Sequence, residues 1–466
     1  MKIIKIFTIL IFFSLIIVPI VSFNFEPNSA STIDNRMLTE NPFSAEALAS
    51  GGDLTENIQS YVNDRIGFRD DMILAYTVLN DKIFGKMTHP SYTYGKEGYV
   101  FGAGLTTAAD RYTEFHEAYA DMVKEIQDYC EDRGVPFLFV FDPAKPAVLT
   151  EYVADGINYD RSWVDDFLAA LDERGVNYLD NTVTLREKYA AGEVVFNQKY
   201  DANHWNDLGA YYGTTAMLEA MQKDNPDVHV NEPDELTISS TLQTSLPVSE
   251  FPIHEEVPAI SMDLSGVENL TSLYNEEVYR HPSHQGFGYY CNEERLTEGS
   301  PRTLVFQGSY MNGFGAKYMM NALGEYIYVH DYQNVIDFAY YFNIFQPEYV
   351  VFEVGEYTLN SNYFDFDRMS AFDLNPVLSE VEKDEEKITI VQLELENPVL
   401  SVEQGETLTK IYWRTDETLR YAWLCLDREY DMTLTDQGWT VTVPTETYQI
   451  HIAHASELEI VGMMEG

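Results

Sequence analysis

The sequence predicts an α/β protein: a doubly wound parallel sheet, preceded by a membrane-anchor helix and followed by an all-β, sandwich-like module. Three observations carry that reading. A nearly unbroken apolar run, Ile6 to Ser22, follows Lys2 and Lys5. From Tyr112, and again from Thr303, stretches with helical apolar spacing alternate with short, wholly apolar runs. Such runs are strands buried on both faces, and their alternation with helices implies parallel pairing through right-handed crossovers. Near residue 385 the texture changes to alternating threonine- and valine-rich segments, the period of half-buried strands.

Taken in order, the first 25 residues read as a signal anchor. Charge followed by an apolar run drives export and leaves the lysines cytoplasmic. The run is long for a signal peptide core and slightly short for a full span, and no Ala-x-Ala site follows it closely. An uncleaved single-pass anchor with the main domains outside the cell is favoured; secretion after cleavage is the alternative. Residues 26–55, rich in Ser, Asn, Glu and Pro, read as an exposed linker. The α/β domain is placed at 56–380. In it Tyr112, Phe115, Tyr119, Met122, Ile126 and Tyr129 mark one helix face, Gly134 stops that helix, and Val135 to Phe141 is a buried strand. A second helix carries Trp163, Phe167 and Leu171, ends near Gly175 and leads into Val176 to Leu179. Residues 225–300 lack this periodicity and read as an irregular excursion, functional or an inserted subdomain. The alternation then resumes with strands at Thr303–Phe306, Tyr326–Val329 and Tyr349–Phe352 and helices over 315–323 and 335–345. The β-rich module occupies 381–466, with strands such as Lys387–Val391 and Trp439–Val443 separated by turns at Gly405 and Gly438.

Composition excludes several functions. Seventy-six acidic residues against 29 basic ones give a formal charge of -47, which repels nucleic acid. Cys130, Cys291 and Cys425 are too few and too scattered for a disulfide framework, a metal cluster or a cysteine nucleophile. His281 and His284 stand without a companion acid or cysteine and read as a loop pair. Glu353 and Glu356 read as strand-end surface acids rather than a glycosidase pair. Neither a metal nor a cofactor is called for.

Two segments carry chemistry. Val305-Phe-Gln-Gly308-Ser309-Tyr310 ends a predicted central strand, where open α/β sheets bind ligands. Gly308 lets the backbone bend there, and turn amides can stabilise an oxyanion. Asp201-Ala-Asn-His204-Trp205 precedes a helix through Leu208, Tyr212, Met217 and Met221, with Asn206 as its N-cap. A serine hydroxyl becomes nucleophilic when an imidazole takes its proton, and an acid orients that imidazole. If the segments meet, they form an acyl-transfer centre.

Asp-x-x-His with a Gly-Ser turn resembles the SGNH hydrolases. The order, with Asp and His ahead of Ser, is similar to the AlgX/AlgJ-type alginate O-acetyltransferases and the related DHHW proteins. Further segments resemble that group in the same order: Ser50-Gly51 leading to Tyr61–Asp70, Tyr94–Phe101, Phe141–Lys145 and Gln346–Glu353. The resemblance implies an SGNH-like fold in which Ser309 accepts the acyl group, His204 is the base and Asp201 orients it. In the serine turn itself, Gly308, Tyr310 and Asn312 are the candidates for oxyanion or substrate contacts beside the Ser309 amide. The resemblance also implies a cell-surface or secreted polysaccharide as acceptor, and an acyl donor supplied by a membrane-bound O-acyltransferase. Two features depart from the group: its acid stands two residues before the histidine, whereas here it stands three before, and the glycine and asparagine blocks of a standard SGNH oxyanion hole are missing. A carbohydrate esterase of SGNH type, and a non-catalytic glycan-binding or assembly protein, are the rival readings.

Overall fold

The computed structural model describes residues 2–31, 33, 36–44, 54–104, 111–247, 251–381 and 387–464; Ser50 and Gly51 lie outside them. The main sheet has seven strands: β1 (Phe137–Asp142), β2 (Tyr178–Asp180), β3 (Val267–Asn269), β4 (Phe287–Asn292), β5 (Arg302–Gln307), β6 (Glu325–His330) and β7 (Tyr349–Gly355). Their order is β2-β1-β7-β5-β6-β4-β3. The first five in that order run parallel, as expected. β4 and β3 add antiparallel pairs at one edge. The excursion is therefore partly built into the sheet, and most of what precedes those strands is a long hairpin, Leu236–Ser245 with Pro252–Met262.

The helices that frame the sheet and the N-terminal part are α1 (Lys2–Val21), α2 (Leu54–Arg65), α3 (Arg69–Phe84), α4 (Glu114–Asp132), α5 (Ser162–Arg174), α6 (Asn181–Ala190), α7 (Asp207–Met221), α8 (Ala316–Ala322) and α9 (Phe338–Phe345), with shorter ones between them and one more, Thr445–His454, in the C-terminal module. Strand alternation divides the core between two layers of them. Phe137, Phe139 and Phe141 point into one core with Tyr119 of α4, Phe167 of α5 and Phe338 of α9. Leu138 and Val140 point into the other with Leu185 of α6, Met217 of α7 and Met319 of α8. Chain reversals match the glycines that stop the helices: Gly134 and Gly175 adopt φ of 71° and 67°, which only glycine takes without steric cost.

α1 is apolar enough over Ile3–Val21 to cross a membrane and is not buried against the rest of the chain. Its end is nevertheless tied down. The Gly67 amide donates to Pro19 O at 2.9 Å, and the Asn24 amide to Arg65 O at 2.8 Å. Arg65 is itself buried and donates to the Thr39 and Glu26 carbonyls. Part of the expected exposed linker is thus clamped onto α2, with Ile33 and Leu38 buried.

At the other end the β-rich module forms one antiparallel sheet of seven strands, from Ile388–Glu394 to Glu457–Met464. It is a half-barrel around its own core of Ile411, Trp413, Tyr430 and Ile460, where two stacked sheets were expected. It docks on α4 and α9. The Tyr129 hydroxyl donates to Asp431 at 2.6 Å, and Asn343 Nδ2 donates to Asp431 O at 2.9 Å.

Candidate active site

β5 is the middle strand of the sheet, and its carboxyl end delivers Gly308 and Ser309 into a helical turn. That turn continues as a single π-helical segment, Met311–Gly315, into α8. Wide turns of this kind are frequent at functional sites. The amides of Ser309 and Tyr310 open the turn, where a helix has no acceptors of its own to offer them.

His204 and Asp201 come from the loop entering α7, whose N-cap is Asn206: its side chain accepts from the Gly209 amide at 2.9 Å. The loop is pinned to the serine turn by Trp205, fully buried, whose Nε1 donates to Tyr310 O at 3.0 Å. α7 accommodates that indole because Gly213 faces it; a Cβ there would lie 2.3 Å from Trp205 Cζ3. The result is a contiguous chain of contacts. Ser309 Oγ is 2.8 Å from His204 Nε2, and His204 Nδ1 is 2.9 and 2.8 Å from the two Asp201 carboxylate oxygens.

Asp201 reaches the imidazole because its backbone is left-handed, with φ of 58°, a conformation that aspartate tolerates. The carboxylate folds back to accept the Asn203 and His204 amides, each at 3.0 Å. Burial works against its charge, but His204 and these two amides outweigh it and hold the group below the usual carboxylate range. Beneath the loop lies Lys145, fully buried, donating to Val100 O at 2.8 Å and to Gln198 O and Asp201 O at 3.2 Å. Burial pushes this ammonium down to about 7. Two of the segments that carried the resemblance, Tyr94–Phe101 and Phe141–Lys145, thus meet at one residue that supports the Asp201 turn.

The proposed oxyanion contacts are placed unequally. The Gly308 amide is given to Glu353 Oε2 at 2.7 Å. The Tyr310 hydroxyl is spent on Pro143 O and Asn203 O, at 2.8 and 3.0 Å, which leaves its amide as the available group. Asn312 is exposed, and its Oδ1 accepts from Gln307 at 2.6 Å.

A residue that sequence reasoning missed stands at the centre. Tyr357, in the turn after β7, places its hydroxyl 2.9 Å from Ser309 Oγ and 2.8 Å from His204 Nε2. Burial holds this phenol well above its usual range, so it stays a proton donor. Strand pairing brings it here: β7 is parallel and next to β5, so the residues just beyond it share the edge that carries Ser309.

Glu353 and Glu356 are not surface acids; the structure buries both. Glu356 is satisfied by the Ala144 amide, the Tyr159 hydroxyl and Arg161, at 3.1, 2.8 and 3.0 Å. Burial, with Asp142 and Asp331 close by, raises Glu353 far above the ordinary carboxyl range, and burial pushes Asp142 up to about 7. Glu353 supports the serine turn from below by accepting the Gly308 amide. Among the described residues, no group of three or more His, Cys, Asp or Glu is arranged to hold a metal ion. His281 and His284 stack on each other with ring centroids 5.5 Å apart.

The carboxyl edge of a mixed α/β sheet thus brings a serine, a histidine and an aspartate into hydrogen-bonding contact. The ALGX family model, described as SGNH hydrolase-like domain, acetyltransferase AlgX, matches residues 93–247. The matched stretch contains Asp201 and His204, and Ser309 lies beyond it. Solved structures are similar at low identity. The O-acetyltransferase domain of Pseudomonas putida AlgJ is 14% identical, covering 61% of this chain and 99% of that one, at a TM-score of 0.41. Bacillus cereus PatB1 is 13% identical over 58% and 97%, at 0.46. Pseudomonas aeruginosa AlgX is 10% identical over 80% and 91%, at 0.39. With TM-scores below 0.5, none of these likenesses carries the function. No curated protein matches the chain.

Proposed function

We propose that this protein is an O-acyltransferase working outside the cytoplasm, held to the membrane by α1, that moves an acyl group, acetyl by resemblance, onto a polysaccharide. The observation that carries the reading is the unbroken line from Ser309 Oγ through His204 to Asp201, with every gap between 2.8 and 2.9 Å.

In this reading Ser309 Oγ attacks the carbonyl of the acyl donor while its proton passes to His204 Nε2. Asp201 accepts from Nδ1–H, fixes the tautomer and stabilises the imidazolium. The oxyanion that forms takes hydrogen bonds from the Ser309 and Tyr310 amides and from the Tyr357 hydroxyl, which needs only a small swing from Ser309 Oγ. Collapse of the intermediate expels the donor's leaving group, protonated by His204, and leaves an ester on Ser309. A sugar hydroxyl then gives its proton to His204, attacks that ester and departs acylated, returning the proton to Ser309. Water in place of the sugar would make the same centre an esterase.

The test uses the purified full chain with 4-nitrophenyl acetate, with and without oligosaccharide. Intact mass should show one acetyl on Ser309 in the wild type and none in Ser309→Ala or His204→Ala, and oligosaccharide should discharge the acyl-enzyme faster than water does. Acylation at wild-type rate in both variants would overturn the mechanism. Discharge indifferent to every glycan offered would favour the esterase.

A further inference from the structure

Helix α3 is apolar on two opposite faces, and among the described residues only one of them is packed into a core. Leu74 and Val78 pack inward against a small core of Tyr92, Ala202, Leu246 and Phe251. On the other side Met72, Tyr76, Leu79 and Ile83 form a stripe at helical spacing and are 46%, 59%, 55% and 59% exposed. Phe84, at the helix end beside it, is also exposed. A soluble helix normally turns a polar face to water, and a contiguous exposed apolar stripe marks a surface meant to be covered. α1 indicates what covers it. Gly67, two residues before α3, donates its amide to Pro19 O at the end of α1. A Cβ on Gly67 would lie 2.5 Å from Ser22. α3 therefore starts at the point where the apolar helix α1 ends. Tyr76 lies in the stripe, Lys82 borders it and Lys86 follows the helix end, residue types that favour a membrane interface.

We propose that α3 is an interfacial helix that seats the domain on the lipid bilayer that α1 enters, a second membrane contact resting on the reading of α1 as an anchor. The seat has a consequence for the site. Leu74 and Val78 share their core with Ala202, the residue after Asp201. The thickness of α3 and one layer of side chains then separate the bilayer from the Asp201–His204 loop, about 10 Å of helix, which sets the centre close to the membrane surface. Because the chain carries -47 charges, the seat is apolar rather than electrostatic, and neither salt nor anionic lipid should be needed for it.

The experiment places a tryptophan at Leu79→Trp in the full chain, in phosphatidylcholine vesicles with and without brominated acyl chains. Asp416→Trp in the C-terminal half-barrel is the reference, and the unsubstituted protein gives the background from the five native tryptophans. The added emission at 79 should be quenched several-fold more by brominated lipid than that at 416, unchanged in high salt, while iodide quenches 416 more. If the protein floats with the vesicles but position 79 remains as open to iodide as 416, the seat is refuted even though the anchor stands. That holds whatever protein protects it in native membranes. A blue shift that grows with protein density without brominated-lipid quenching assigns the stripe to a second copy and likewise refutes it. Failure to float at all removes the anchor reading and the seat together.

Discussion

Asp201→Asn separates a catalytic role for this residue from a merely structural one. In the wild type, Oδ1 accepts the Asn203 and His204 amides at 3.0 Å and lies 2.9 Å from Nδ1, while Oδ2 lies 2.8 Å from Nδ1. Asparagine keeps one carbonyl oxygen, which the two amides claim, so the left-handed turn survives. The amide nitrogen then occupies the Oδ2 position and donates to Nδ1. That forces the proton onto Nε2, which can no longer accept from Ser309 Oγ. Loss of the correct tautomer in a serine triad costs about 10⁴ in kcat, or about 5.5 kcal/mol of transition-state stabilisation. The assay is the pre-steady-state rate of Ser309 acetylation by 4-nitrophenyl acetate, beside urea unfolding of both proteins. The expected outcome is a fall of about three to four orders of magnitude with stability changed by less than about 1 kcal/mol. A rate within tenfold of wild type, at unchanged stability, would show that Asp201 only shapes the loop.

Three further outcomes follow from the same geometry. Tyr357→Phe should lower kcat by about 10² with little change in KM, the size of losing one oxyanion donor; a wild-type kcat would remove the phenol from the mechanism. Lys145→Met should cost about 3 kcal/mol in unfolding free energy, since three buried carbonyl oxygens lose their shared donor, and should slow acylation as the Asp201 turn relaxes. Asp431, buried between α4 and the half-barrel, is pushed up by burial to about 6 from 3.8. Between those pH values the unfolded chain has lost a proton that the folded chain keeps, so its contribution is complete below pH 4 and falls away as pH rises to 6, by about 3 kcal/mol. Asp431→Asn should match the wild type near pH 4 and exceed its stability at pH 7, and parallel denaturation curves would refute this.

What the sequence made legible was whatever depends on near neighbours. The stripe on α4 and the apolar run of β1 are written in consecutive residues, and both stand where periodicity puts them. Gly308-Ser309 at the end of an apolar run already implied an exposed turn over the sheet. Features that depend on pairing across the chain stayed hidden. Tyr357 meets Ser309 across 48 residues and His204 across 153, and nothing local distinguishes it from the other tyrosines. β4, Phe-Gly-Tyr-Tyr-Cys-Asn, has no period of its own and becomes a strand by pairing with β6. Glu356 looks like a surface acid until Arg161, Tyr159 and the Ala144 amide converge on it, because a buried charge depends on partners rather than on its own position.

The offset of the acid shows how a departure in the sequence is absorbed by the backbone. A side chain three residues ahead of the histidine, in ordinary extended conformation, would point away from it along the loop. The left-handed φ at 201 turns the chain back on itself, so the carboxylate caps the two amides that follow it and meets Nδ1 at the same time. This conformation costs on the order of 1 kcal/mol or more for a non-glycine residue, and it persists because the surroundings hold it. Lys145 holds the Asp201 carbonyl from below, Trp205 ties the loop to Tyr310 O, and Ala202 is packed into the core that α3 closes. Ala202 is small enough to fit there; a bulkier side chain would push the turn off the imidazole. Asp201 is thus supported by the fold from three sides, the support that its proposed role of orienting His204 requires.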